Sequence, residues 1–344
     1  MTTLISWGLL AFAVSFVLTV FVKQLALKRG AVDKPTKARN LHDKPTARLG
    51  GLAIFAAFAV VVILILFTSD ALTGGAISRF HYAGVILGGM ILMLGGYFDD
   101  RYELPPSLSI VSPFLAAMTV IFFGIEVEKL SNPFGGVIYL TSWQSDLLVF
   151  VWLMVVMYTT KFLDGLDGLA SSVTGVGALM VMLLSLTAAY YQPDVALLSA
   201  VVIGAIVGFL FWNFHPATIF LGEGGSTFVG FLLGVLAVIS GGKLATALLV
   251  LGIPLLDAVW VVVRRFRAGG LKQIFVGDRK HLHHRLYDLG LGQKQVVLVY
   301  VMVASAFGVT ALFFQSREKL VALVVLCLIM LIAAFFFSQK EKRV

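Results

Sequence analysis

The residues able to do chemistry in this chain are acids placed at the edges of apolar runs. Asp99 and Asp100 follow one such run, Asp164 and Asp167 follow another, and Glu223 precedes a third. Charge at a lipid boundary is tolerable, but five acids gathered on one side without a matching set of bases need a cation. Oxygen donors of this kind suit a hard divalent ion. A divalent ion at a membrane surface, with bases near it, suits the handling of phosphate.

Each motif has a plainer alternative. In Gly96-Tyr-Phe-Asp-Asp-Arg-Tyr-Glu-Leu104 the adjacent carboxylates repel unless a metal, a proton or an arginine relieves them; the alternative is a solvated helix end beside Arg101. In Lys161-Phe-Leu-Asp-Gly-Leu-Asp-Gly-Leu169, a helical reading puts Asp164 and Asp167 on one face. The glycines there let a flat ligand approach the backbone. Two Asp-Gly turns are the alternative, and a calcium loop lacks the length and the closing bidentate acid. The stretch Asn213-Phe-His-Pro-Ala217 leads to Phe220-Leu-Gly-Glu-Gly-Gly-Ser226 and a new helix, whose amides and dipole would face an anion while Glu223 holds a metal. An N-capped helix with an acid in its favoured place would look the same. Asp278-Arg-Lys-His-Leu-His-His-Arg-Leu286 resembles a zinc site, yet it has no cysteine and many cations. A cluster grasping a diphosphate fits it better, arginine offering a planar fork to phosphate.

The elements that must position these groups are membrane helices. The chain has 344 residues, is 59% hydrophobic and 13% charged, and has a mean hydropathy of +0.98. Apolar stretches of about 17–25 residues mark spanning helices. Eleven are expected, at 4–22, 52–68, 82–98, 110–124, 147–160, 172–190, 196–212, 227–239, 244–263, 296–314 and 320–337. The first lacks a small-residue cleavage site and is read as a retained helix. The fold expected is therefore all-α, a polytopic integral membrane protein with about 11 transmembrane helices and a single domain over 1–344.

Most of the 26 Lys and Arg fall in one set of alternate loops. By the positive-inside rule the N-terminus is outside and the C-terminus cytoplasmic. The net charge of +8 is thus largely topology, and nucleic acid is not an expected partner. The inner loops 23–51, 99–109, 161–170, 213–226 and 264–295 hold every motif above. The basic loop from Asp33 to Gly51, with Lys44 and Arg48, attracts either lipid headgroups or a substrate phosphate. Cys327 is alone and mid-helix, so it forms no internal disulfide.

Taken in order, these five loops resemble the bacterial polyprenyl-phosphate N-acetylhexosamine-1-phosphate transferases of glycosyltransferase family 4, over nearly the whole chain. The matching pieces are Asp33 to Gly51, Asp99-Asp100, Asp164-Gly-Leu-Asp-Gly-Leu169, Asn213 with Pro216-Ala217, Gly222-Glu223, and His281-Leu-His-His-Arg-Leu286. The last run looks like the N-acetylglucosamine branch; the related muramoyl-pentapeptide transferases read Pro-Ile-His-His-His there. The resemblance implies transfer of a sugar 1-phosphate, N-acetylglucosamine by default, from a UDP-sugar to undecaprenyl phosphate. The reaction would release UMP with Mg²⁺, or Mn²⁺ in its place, and begin a cell-envelope polysaccharide such as lipopolysaccharide or teichoic acid. It implies a cell inner (plasma) membrane protein whose active site faces the cytoplasm, with a homodimer left open.

The roles implied are as follows. Asp99, Asp100, Asp164, Lys161 and His283 would be catalytic, Asp99 or Asp100 orienting or deprotonating the lipid phosphate. Glu223, with Asp164 and Asp100, would hold the metal. Gly165, Leu166, Asp167, Asn213 and Phe220 would cradle uridine. His281, His283, His284 and Arg285 would hold the diphosphate or sugar, and Lys44 and Arg48 would bind substrate. Three departures from the family stand out: Glu223 where Asp is usual, Ser107 where Lys is usual, and Tyr158 and Lys161 where two Asn are usual. One reading is that the positive charge at the Ser107 position has moved to Lys161. Another UDP-N-acetylhexosamine or a muramoyl-pentapeptide donor, a transporter and a non-catalytic scaffold of the same fold are the competing readings.

Overall fold

The apolar runs are helical because hydrocarbon offers backbone amides no partner outside their own segment. The computed structural model describes residues 2–35, 45–241, 243–270, 280–314 and 316–341, without the side chains of 268, 316 and 333–341. Its helices are α1 (Thr2–Arg29), α2 (Gly50–Thr68), α3 (Arg79–Tyr102), the single turn α4 (Pro106–Ser109), α5 (Val111–Phe122), α6 (Ser142–Leu163) and α7 (Leu169–Ser185). They continue as α8 (Pro193–Asn213), α9 (Gly222–Ile239), α10 (Leu244–Val250), α11 (Gly252–Gly269), α12 (Leu282–Asp288), α13 (Gln293–Phe313) and α14 (Ser316–Glu341). Every expected apolar run falls on one or two of these helices. By length and composition, seven described helices can cross a membrane, or eight when one bent pair counts as a single span.

That pair is α10 and α11, which the sequence presents as one run at 244–263. They meet at 75°. Pro254 lies in the first turn of α11 and has no N–H to return to the carbonyl one turn earlier, so the helix restarts after Leu251. The break aims the basic C-terminal half of α11 along its own direction.

The centre is α9, buried over most of its length against α2, α3, α6 and α7. Glycines make its N-terminal end approach two neighbours backbone to backbone. A Cβ at Gly51 on α2 would collide with the main chain of Gly225, and one at Gly96 on α3 with that of Gly224. Lipid gives helices no hydrophobic reason to associate, so small residues that permit this approach supply the attraction. The pair α1 and α8 adds buried polar ties, Ser15 Oγ to Ala205 O at 2.7 Å and Trp212 Nε1 to Phe16 O at 3.1 Å.

Two short ladders were not expected in an all-α fold. Outside the helices, β3 (Lys129–Ser131) pairs antiparallel with β4 (Val137–Tyr139). On the side of the acids, β1 (Val32–Asp33) pairs antiparallel with β2 (Thr46–Ala47), and Ala47 bridges in parallel to Ile219. The stitching continues through Phe220 N to Ala47 O (2.8 Å), Gly50 N to Phe220 O (2.9 Å) and Gly51 N to Leu221 O (2.9 Å). Buried amides in connecting segments need partners, and here two inner loops supply them to each other. The loop bearing Arg48 is thereby tied to the one that opens into Glu223.

Candidate functional site

The paired acids at the end of α3 face different ways. Asp99 closes the turn after the helix: its carboxylate accepts Leu104 N at 3.1 Å and Ser109 Oγ at 2.6 Å. Asp100, one residue on, is buried and accepts the amide of Glu223 at 2.9 Å. Arg48 Nη1 stands 3.8 Å from its other oxygen, and the same guanidinium pairs with Asp33 at 3.1 Å. The first turn of α9 leaves amides without helical partners, and one of them is therefore given to an acid from α3.

Glu223 turns its side chain the other way, onto the ammonium of Lys161 at the end of α6. Lys161 also lies over the Tyr158 ring, 5.3 Å from its centroid. Ser107, on α4, is exposed.

Asp164 caps α6 just outside the span. Its carboxylate has no hydrogen bond among the described residues, and its pKa is pushed up to about 8. Burial is the main cause; the negative charges of Asp100 and Glu223 raise it further and Arg48 opposes them. Asp167 is occupied: it bonds His215 Nδ1 at 2.7 Å and accepts Ala217 N at 3.1 Å, while its own amide reaches Gln293 Oε1 at 3.4 Å. Asn213 is buried, accepting Ser171 Oγ at 3.2 Å and donating to Ile219 O at 3.1 Å. Leu166 is buried in the core, and Phe220 is half-buried.

The histidine segment reaches the same place from the far end of the chain. His281 Nδ1 bonds Asp257 of α11 at 2.8 Å, and the other Asp257 oxygen accepts Leu282 N at 3.0 Å, capping α12. Phe162, His281, His283 and His284 form a run of rings with successive centroids 5.8, 5.6 and 4.3 Å apart. His283 is buried, its Nε2 has no hydrogen-bond partner among the described residues, and a Cβ at Gly165 would strike that atom. Burial, and then the neighbouring His284 and His281, lower its pKa well below the usual histidine value, so the ring is neutral. The opposite face of α12 points elsewhere. Arg285, with Lys280, lines a cavity of about 250 Å³ walled by Trp260, Cys327 and Met330.

Asp100, Asp164, Glu223, Lys161 and Arg48 thus lie within electrostatic reach of one another, and His283 abuts Gly165 beside Asp164. Asp99, Asp167, Asn213 and His281 are spent on internal hydrogen bonds. Arg285 faces the cavity. Lys44 lies outside the described residues. Among the described residues no three His, Cys, Asp or Glu side chains are drawn together as an ion-holding group. The donor chemistry nevertheless fits Mg²⁺: these are oxygen donors, and one of them, Asp164, holds its proton to about pH 8 because it is buried and the charges of Asp100 and Glu223 add to the effect.

Sequence reasoning gave no role to Asp257, His215, Gln293 or Ser171. Asp257 had one signal, an ionisable residue inside an apolar span. The others carried none, because their partners are 42 to 126 residues away.

Comparisons with known proteins find relatives along most of the chain. The family described as glycosyl transferase family 4 matches residues 82–241. A Bacillus subtilis protein called probable undecaprenyl-phosphate N-acetylglucosaminyl 1-phosphate transferase is 30% identical over 93% of this chain and 88% of its own length. The decaprenyl-phosphate N-acetylglucosaminephosphotransferase of Mycobacterium tuberculosis is 34% identical over 90% and 83%. The undecaprenyl-phosphate alpha-N-acetylglucosaminyl 1-phosphate transferase of Thermotoga maritima is 27% identical over 92% and 93%.

Proposed function

This chain belongs to glycosyl transferase family 4, and from that premise we propose that it moves N-acetylglucosamine 1-phosphate from UDP-GlcNAc to undecaprenyl phosphate. UMP leaves, and the product is a lipid-linked diphosphate sugar that starts a cell-envelope polysaccharide. The observation that carries the reading is the meeting of Asp100, Asp164, Glu223, Arg48 and Lys161 at neighbouring helix ends.

The reaction brings two anions together, so positioning and charge neutralisation supply most of the catalysis. Arg48, held by Asp33 and Asp100, is placed for the acceptor phosphate. Asp100 is the site-facing member of its pair and orients that phosphate; Asp99 shapes the turn beneath it. Neutral His283, with a free ring nitrogen at Gly165, can donate to or accept from the diphosphate or sugar. Asp164, Glu223 and Asp100 would hold magnesium, or manganese, which when bound neutralises diphosphate charge. We read the chain as eleven crossings of the bacterial inner membrane, N-terminus outside, with this site at the cytoplasmic face. The basic loops on the side of the acids support that orientation.

The break between α10 and α11 is what a transporter reading would use, so the test needs two arms. Purified protein with UDP-GlcNAc, undecaprenyl phosphate and Mg²⁺ is expected to release UMP. Asp100→Asn should lower turnover by about 10²-fold or more, and Asp99→Asn should lower it less. Substrate flux into vesicles without UMP release, or neither activity, refutes the proposal. Turnover across other UDP-N-acetylhexosamines settles the sugar.

A further inference from the structure

Lys161 stands on the last turn of α6 with its ammonium on the carboxylate of Glu223. The Tyr158 ring, one turn earlier, offers its face to the same ammonium at 5.3 Å, a geometry that retains a cation. Both side chains of the ion pair are 22% exposed, while the contacted Glu223 oxygen is itself covered, so the pair lies just inside the mouth of the site with part of each side chain open to solvent. Glu223 is also the acid that the donor set would present to a divalent ion. An ammonium cannot ligate a metal, and its charge repels one. Arg48 and Asp99 act on Glu223 from α2's approach and from α3; neither replaces the direct contact.

We propose that Lys161 is a tethered counter-cation, filling Glu223's place in the site until a divalent ion or a diphosphate draws it away, and thereby weakening metal binding by this chain. The idea rests on the metal-assisted reading above, but its readout is ion binding without turnover. The charge on Lys161 keeps the acids together in the metal-free protein. When an ion takes Glu223, the released ammonium is left at the mouth, where an incoming diphosphate needs a cation.

The test is Mn²⁺ binding to purified full-length protein without substrates, followed by the paramagnetic resonance signal of the free ion. Lys161→Asn should bind Mn²⁺ at least tenfold more tightly than wild type. Lys161→Arg should match wild type, and Glu223→Gln should bind least. Lys161→Met, which keeps the stem against Tyr158, answers the same question if Lys161→Asn does not fold. Unchanged or weaker binding in the folded lysine variants overturns the proposal, as does no binding in any of them. A protein that binds Mn²⁺ in this order yet never releases UMP would instead overturn the reaction while leaving the counter-cation standing.

Discussion

Gly96→Ala tests whether the glycine seam, rather than the acids alone, sets the geometry of the site. In the middle of a helix the change should help, since alanine is favoured over glycine by about 0.5–1 kcal/mol. At position 96 the new Cβ would land on the main chain of Gly224, one residue from Glu223. Backbone cannot rotate aside as a side chain can, so the overpacking cost of about 1–3 kcal/mol falls at its upper end. The net expectation is a loss of about 1–2 kcal/mol. A second consequence weighs more: α9 can relieve the clash only by moving away from α3, which stretches the Glu223 amide from Asp100. A displacement near 1 Å at reacting groups costs about 10²-fold in rate. Gly175→Ala on α7 is the control, because its Cβ would meet only Ile206 Cγ2 at an ordinary 3.5 Å. Thermal melts in detergent and UMP release should therefore split the two. Gly96→Ala should melt lower and turn over about 10²-fold more slowly; Gly175→Ala should match or exceed wild type in both. A Gly96→Ala protein as stable and active as Gly175→Ala would refute the seam argument.

Three further expectations follow from the buried ionisable groups. Asp257→Ala removes the acceptor for both His281 and Leu282, orphaning a buried ring N–H at about 1–3 kcal/mol and a half-buried amide at less. It should lower the melting temperature and cut kcat more than Asp257→Asn, which keeps one acceptor; equal effects would mean that α12 is not held this way. Asp164 holds its proton to about pH 8 in the folded chain but loses it near pH 4 when unfolded. The native state therefore binds the extra proton between those values, and metal-free stability falls as pH rises through them. Asp164→Asn should melt higher than wild type at pH 8 in chelator, with the gap closing towards pH 4; a constant gap would count against a carboxyl kept protonated by burial and its neighbouring acids. On the opposite face, Lys243 bonds Ser185 Oγ at 3.1 Å and Gln192 Oε1 at 2.7 Å. Burial, aided by the charge of Lys319, lowers its pKa to about 8. There the unfolded chain holds the proton longer, so stability should rise from about pH 8 to 10 in wild type and stay flat in Lys243→Met.

Helix positions were legible in the sequence because apolar length is a one-dimensional signal. Each expected run is helical, and Asp164 and Glu223 fall at helix ends as the apolar runs beside them suggest. Residues 164–168 form turns, however, so Asp164 and Asp167 do not share the helical face that their spacing offered. What a helix end does next was not legible. The sequence treats 244–263 as one span because Pro254 sits within an unbroken apolar stretch, and only the fold shows the chain turning by 75° there. It also treats Asp99 and Asp100 as equals, although a helix sends neighbours about 100° apart and only one can face α9. Asp257 looked like an acid stranded in a membrane until His281, 24 residues later, arrived beside it. Pairings of this sort depend on where a loop returns, which hydropathy does not encode.

The division of labour among the acids follows from what each helix end lacks. A helix N-terminus has spare amides and a C-terminus has spare carbonyls. Asp100 therefore settles on the amide of Glu223 at the start of α9, and Asp257 settles on that of Leu282 at the start of α12. Asp164 is at a C-terminal end, where carbonyls and other acids surround it and no amide is offered. Burial and the charges of Asp100 and Glu223 hold its proton to about pH 8 against the opposing charge of Arg48, whereas the pKa of Asp100, with its amide, is raised only to about 7. If a cation enters the site in the proposed reaction, Asp164 is where it relieves most repulsion. Glu223 already has its relief from Lys161, so the two acids should differ in what their loss does: Asp164→Asn should weaken Mn²⁺ binding in the wild-type background. Glu223→Gln should weaken it more strongly once Lys161 is also Asn than when the lysine is present. Additive effects of the Glu223 and Lys161 changes would show that the lysine and the ion do not compete for one carboxylate.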